Sequence, residues 1–209
     1  MRQRSRLSAA STLVFLVAWS LAPAAAGQTS YPDSTTVTRE RSSIAIENFG
    51  RVNEHYYRGG QPNDRDYTDL AALGVKTLIN LTSDDALANE RAMVESAGMA
   101  YVQIPMTTHE RPTPEKVATF LSIVNDPARQ PVYVHCVGGR HRTGVMSAVY
   151  RMTHDGWTAD QAFKEMKQYK FGADFLHPEF KSFVYGFDSA AAHAAEAHAA
   201  VAIGAKSGS

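Results

Sequence analysis

Apolar residues along this chain fall into two kinds of run. Short, nearly unbroken runs lie at Val75–Leu81 (VKTLINL), Ala100–Ile104 and Pro131–His135, with a weaker one at His55–Arg58 that ends in the turn Gly59-Gly60-Gln61-Pro62. Runs of that length, bounded by Gly, Pro and polar residues, predict strands covered on both faces. Elsewhere apolar residues recur every three or four positions, the period of an amphipathic helix. One helix is expected from a cap at Asp64 to Leu73, with Gly74 as its stop. A second is expected from a cap at Ser83 or Asp84 to about Ala97, stopped by Gly98. Thr113-Pro114-Glu115 opens a third, with a capping hydroxyl, a proline at the first helical position and an acid in the first turn. Its Val117, Phe120, Leu121 and Val124 share one face. Val145–His154, Thr158–Tyr169 and Pro178–Phe187 are the remaining helical segments.

Strands alternating with helices imply an α/β fold: a mainly parallel central sheet of about four to five strands, flanked by helices and closed by a C-terminal helical cap. Ligands of such sheets bind beyond the carboxyl ends of the strands. The expected domain runs over 44–188. Residues 27–43 are polar and rich in Ser and Thr, a flexible lead-in. Residues 189–209 are an Ala-rich, low-complexity tail, either a frayed helix or disordered.

Charge changes the picture at the N-terminus. Lys plus Arg number 21 and Asp plus Glu number 21. Residues 1–26 hold Arg2, Arg4 and Arg6 and no acid, so the remainder is slightly acidic. That balance argues against nucleic acid and anionic membrane as partners. Arg2–Arg6, the apolar Leu13–Leu21 and the small residues Ala24–Ala26 read as a secretory signal peptide over 1–26. The apolar part is shorter than the roughly 20 residues a spanning helix needs. The expected location is therefore periplasmic or secreted, with no stable membrane association after cleavage.

The chemistry concentrates in Val132–Gly144, VYVHCVGGRHRTG, which contains the one cysteine of the chain. A lone thiol in an exported protein cannot pair within its chain; it is either an inert buried group or kept for reactivity. Cys136 lies at a strand end, before a glycine-rich loop and a helix start. Gly138, Gly139 and Gly144 let the backbone turn successive N–H groups inward as an anion nest. The helix N-terminus adds partial positive charge. In such a field a thiol ionises below its free value of about 8.5. Arg142 can fork two N–H groups onto an oxyanion, Thr143 can donate to sulfur, and His135 orients the loop.

His135-Cys136, five residues, then Arg142-Thr143-Gly144 resembles the signature of the cysteine-dependent protein tyrosine phosphatase superfamily. The tail Gly139-Arg140-His141-Arg142-Thr143-Gly144, with Tyr57-Arg58-Gly59-Gly60-Gln61-Pro62 upstream, is most similar to the plant-and-fungal atypical dual-specificity phosphatases and their bacterial relatives. The resemblance spans roughly Ile44 to Phe187. It implies attack of Cys136 on a phosphomonoester, a phosphocysteine intermediate, and oxygens held by Arg142 and the amides of Val137, Gly138, Gly139, Arg140 and His141. It implies no metal or organic cofactor. The partners it implies are a phosphorylated protein or an inositol phosphate.

One departure concerns the general acid. The superfamily places an aspartate in the segment matching Pro105–Pro112 (PMTTHERP), which has none here. Glu110 is the first substitute and His109 the second, while Asp84 and Asp85 follow another strand and can reach the same mouth. Arg140 and His141 add positive charge at the rim, and Lys164, Lys167, Lys170 and Arg58 are candidates to widen it, a property suited to an inositol polyphosphate or pyrophosphate. Alternatives from other classes are weaker. A Walker loop needs a Lys in a different spacing. A rhodanese-like sulfurtransferase has a shorter loop, and a phosphate-binding module would lack turnover. Cys136 and His135 have no second ligand pair for a metal.

Overall fold

A computed structural model describes residues 44–83 and 85–196. The expected signal peptide, the lead-in, Asp84 and the end of the Ala-rich segment lie outside the described residues. Strand β1 (Gly50–Asn53) and strand β2 (Tyr56–Gly59) form an antiparallel pair. They are followed by α1 (Asp64–Ala72), β3 (Thr77–Asn80), α2 (Glu90–Ser96), β4 (Ala100–Gln103), α3 (Pro114–Val124) and β5 (Val132–His135). Then come α4 (Arg142–His154), α5 (Ala159–Gln168), a short turn of tighter helix at Asp174–Leu176, and α6 (Pro178–Tyr185). Residues 189–196 are also helical. All described residues fall within one compact unit.

The sheet order is β1-β2-β5-β3-β4, with every pair parallel except β1–β2. The α/β class with a mainly parallel sheet is therefore as expected. Every residue of β2, β3 and β5 is buried, because helices cover both faces. Alternate residues point to opposite sides. Val132 and Val134 join a large core with Phe120, Leu121, Val145, Val149, Phe163 and Phe180. Tyr133 and Leu78 face the other core, with Tyr67, Leu70 and Val94. The register aligns His135 with Gly59 on one side and Asn80 on the other, so three parallel strands end together.

Two expectations are corrected, and one strand is added. The cap of α1 is Asn63, one residue before Asp64: the Asp66 carboxylate accepts from the Asn63 N–H at 2.8 Å, while the Asp66 N–H donates to the Asn63 carbonyl. Helix α2 begins at Glu90, well after Ser83, because residues 85–89 are not helical and Asp85 reaches Arg142. Strand β1 was not foreseen; its four residues carry one large apolar side chain, Val52. Thr113 caps α3 as expected, accepting from the Lys116 amide, and Thr158 caps α5, accepting from the Gln161 amide. The start of the Ala-rich segment packs as helix: Ala192 enters the larger core and Asn125 donates to Glu196 at 2.8 Å.

Candidate active site

Strand β5 delivers Cys136 to the sheet's carboxyl edge, where it is 3% exposed. Residues 137–141 loop over it, and α4 begins at Arg142. Two features hold this loop. Gly139 has φ of +64°, and a Cβ there would lie 2.4 Å from the Gly59 carbonyl carbon, so only glycine fits. The Gly139 carbonyl accepts from Arg58 Nη2 at 2.6 Å and from Asn48 Nδ2 at 2.9 Å. The Val137 carbonyl accepts from the Gln61 N–H at 2.9 Å. These carbonyls are bound to the surrounding frame. Among the described residues no acceptor takes the N–H groups of Val137 to His141. Loop amides left without a protein acceptor are what an anion nest requires.

Arg142 is 5% exposed and its guanidinium is fully committed at its tips. Nη1 donates to Asp85 Oδ1 at 2.8 Å and Nη2 to Asp85 Oδ2 at 2.6 Å, and Nη1 also meets the Met106 carbonyl at 3.2 Å. Burial lowers the pKa of Arg142, but Asp85 and Cys136 outweigh it and hold the side chain more firmly charged. Hydrogen bonding from Arg142 keeps the Asp85 carboxyl below the usual aspartate range. The structure thus brings Cys136, Arg142 and Asp85 together. Glu110 and His109 are exposed on the loop after β4, where Met106 touches Arg142.

Two supports behind the loop were misjudged or missed by the sequence. Arg58, expected on a positive surface, is wholly buried beneath the loop. Its guanidinium lies 3.9 Å from the Tyr169 ring centroid, and burial lowers its pKa. Glu90 was not singled out at all. It is wholly buried, 3.0 Å from His135 Nε2, and accepts from Gln61, Tyr67 and Asn80. Burial pushes the Glu90 carboxyl up, yet His135, Gln61 and Tyr67 together hold it below its ordinary value. One carboxylate therefore ties together the segments leaving β2, β3 and β5. Through this contact His135, the residue before Cys136, is tied to the start of α2. Asn89-Glu90 at the start of a helical period was the only local signal, and it does not distinguish a buried acid from a solvated one.

Other expected site residues sit differently. Arg140 donates to Glu47 at 2.5 Å, and Glu47 also lies 4.0 Å from Lys170. Lys167 pairs with Asp174. His141 donates from Nε2 to the Phe171 carbonyl at 3.0 Å, with its ring centroid 3.9 Å from that of His177. Burial, His177 and the nearby arginines lower its pKa. His177 in turn donates to the Thr108 carbonyl, joining the loop after β4 to the cap. The Thr143 hydroxyl points to the Gly59 carbonyl at 3.5 Å, and the bond to sulfur expected from the sequence is not formed. Gly144 packs against Met166 of α5.

A mostly parallel sheet with a thiol, a loop of unpartnered amides and a forked arginine at its carboxyl edge defines a cysteine-dependent phosphatase. Residues 27–181 match the family model PTP-NADK, described as a DSP-PTPase phosphatase fused to NAD+ kinase, and the chain belongs to that family. It is 32% identical over 126 residues to the probable tyrosine-protein phosphatase DG1060 of Dictyostelium discoideum, covering 58% of this chain and 75% of that one. It is 31% identical over 142 residues to the dual specificity protein phosphatase TpbA of Pseudomonas aeruginosa, covering 68% of this chain and 63% of TpbA. A crystal structure of P. aeruginosa TpbA in complex with phosphotyrosine superposes with a TM-score of 0.61 at 28% identity, over 72% of this chain and 90% of that one. The catalytic core of the S. cerevisiae PP-IP phosphatase SIW14, in complex with citrate, has a TM-score of 0.61 at 26% identity, over 69% and 88%.

Proposed function

We propose that this protein hydrolyses phosphotyrosine or dual-specificity phosphoprotein esters through Cys136, after export from a bacterial cell. The observation that carries the reading is the bidentate grip of nearly buried Arg142 on two oxygens of an acidic group, beside the buried Cys136 thiol. In the first step sulfur attacks phosphorus, the S–P bond forms and the P–O bond to the leaving group breaks. Arg142 and the amides of Val137 to His141 hold the equatorial oxygens as charge develops. Water then breaks the S–P bond and returns the thiolate. Glu110 and Asp85 are the acids available at the mouth.

A second reading, hydrolysis of an inositol phosphate or pyrophosphate, is favoured by relatives such as SIW14. Against it stands the rim charge. Glu47 engages both Arg140 and Lys170, so two of the cations a polyanion would use are already paired. Export is supported by Arg2–Arg6, Leu13–Leu21 and Ala24–Ala26, and the phosphatase is expected in the periplasmic or secreted fraction.

The test uses purified protein with chelator present. Phosphate release from p-nitrophenyl phosphate is expected, and Cys136→Ser is expected to abolish it. Phosphotyrosine peptides should exceed inositol polyphosphates in kcat/KM by at least tenfold; the reverse order would favour the second reading. Thiocyanate formation from thiosulfate and cyanide, without phosphate release, would establish a sulfurtransferase instead.

A further inference from the structure

The Arg142 fork is already filled. Both Nη atoms donate to the Asp85 carboxylate, at 2.8 and 2.6 Å, in the side-by-side geometry that Arg makes with a carboxylate or a phosphoryl group. A phosphoryl group approaching Cys136 needs those same two donors. Asp85 is free to give them up. Its side chain is 41% exposed, and it sits on the loop before α2, where it also accepts from the Ser83 N–H at 3.3 Å. Arg142, by contrast, is anchored at the start of α4 and against the Met106 carbonyl.

We propose that Asp85 is a catalytic residue: the substrate phosphoryl group displaces its carboxylate from Arg142, and the displaced carboxyl then serves as the proton donor to the leaving oxygen. The proposal rests on the phosphatase reading above. In the resting site Arg142 favours the ionised form of Asp85. Once phosphate occupies the fork, Asp85 has lost its counter-cation and stands beside a second anion, and both changes favour its protonated form. Substrate binding and proton uptake are thereby coupled. In the first step the Cys136 S–P bond forms, the P–O bond breaks, and the Asp85 proton passes to the departing oxygen, leaving Asp85 ionised. In the second step Asp85 takes a proton from the attacking water, the S–P bond breaks, the thiolate departs, and phosphate leaves as Asp85 returns to Arg142. This assignment accounts for the lack of aspartate in residues 105–112: the acid comes from the loop after β3.

Two measurements on the full chain test it. In a Cys136→Ser background, adding Asp85→Asn removes the competing charge, so inorganic phosphate should bind at least threefold more tightly by calorimetry. In the otherwise native chain, Asp85→Asn should lower kcat for a phosphoserine peptide at least thirtyfold, and for p-nitrophenyl phosphate less than threefold, because only the poor leaving group needs the proton. Asp85→Glu should restore part of the phosphoserine rate, which a merely structural role would not produce. Unchanged phosphate affinity, or equal loss on both substrates, overturns the proposal. So does a leaving-group-dependent loss in Glu110→Gln that Asp85→Asn lacks. A wild-type chain that releases no phosphate sinks the phosphatase reading itself, and the two failures are thus separable.

Discussion

His135 and Glu90 face each other across 3.0 Å with both side chains wholly buried. Their contact links the residue before Cys136 to the first turn of α2. Through Gln61 and Asn80 the same carboxylate reaches the chain leaving β2 and β3. The carboxyl edge of the sheet is thus held by one acid, and the floor of the site depends on it.

Glu90→Gln is expected to destabilise the fold by about 2 kcal/mol, because the buried carboxylate accepts hydrogen bonds from Gln61, Tyr67 and Asn80 and bonds to a charged group contribute about 1.5–3 kcal/mol. The pH dependence has a definite sign. The Glu90 pKa is lower in the folded chain than its ordinary 4.5, so its contribution is present above that value and is lost as pH falls through the folded pKa. Urea melts from pH 6 to 3 should show wild type losing stability more steeply than Glu90→Gln below about pH 4.5. Parallel curves would refute the role.

Gly139→Ala should cost more than about 1 kcal/mol, because alanine is strained at this positive φ and its Cβ would meet the Gly59 backbone. The loop cannot shift without moving the amides that form the nest. A fall in kcat/KM of at least tenfold is therefore expected on aryl phosphates, read by steady-state kinetics beside a thermal melt.

Arg58→Lys keeps the charge but loses the planar stack on Tyr169 and the reach to the Gly139 carbonyl. A destabilisation of about 2 kcal/mol is expected, since hydrogen bonds from charged groups contribute about 1.5–3 kcal/mol. Catalytic efficiency should fall with it, by tenfold or more. A variant as stable and as active as wild type would show that the buried guanidinium does not support the loop.

Glu47→Gln frees Arg140 and Lys170 at the rim. The ratio of activity on inositol polyphosphate to that on phosphotyrosine peptide should rise at least threefold. The rise should shrink in high salt, as it depends on exposed charges. No change in the ratio would mean that Glu47 does not screen the rim.

Legibility in the sequence followed distance along the chain. The Thr113 cap, the buried runs at 77–80 and 132–135, and the order Cys136 to Gly144 all rest on neighbours a few residues apart, and all were readable. Strand β1 was not, because a four-residue edge strand with one large apolar side chain has no usable period. Helix α2 was started too early, since Ser83 and Asp84 look like caps to any local rule. Asp85, just beyond them, instead meets Arg142, 57 positions away.

Pattern and spacing along the chain were enough for the α/β class and for the place of the thiol loop between a strand end and a helix start, since backbone turns and helix starts are encoded by adjacent residue types. Folding alone decided which charges meet: Asp85 with Arg142, Glu47 with Arg140, Glu90 with His135, and Arg58 beneath Gly139. Each of these contacts joins segments far apart in the chain. A charged side chain carries no mark in the sequence of whether it will end in water, in a buried pair or against a carbonyl.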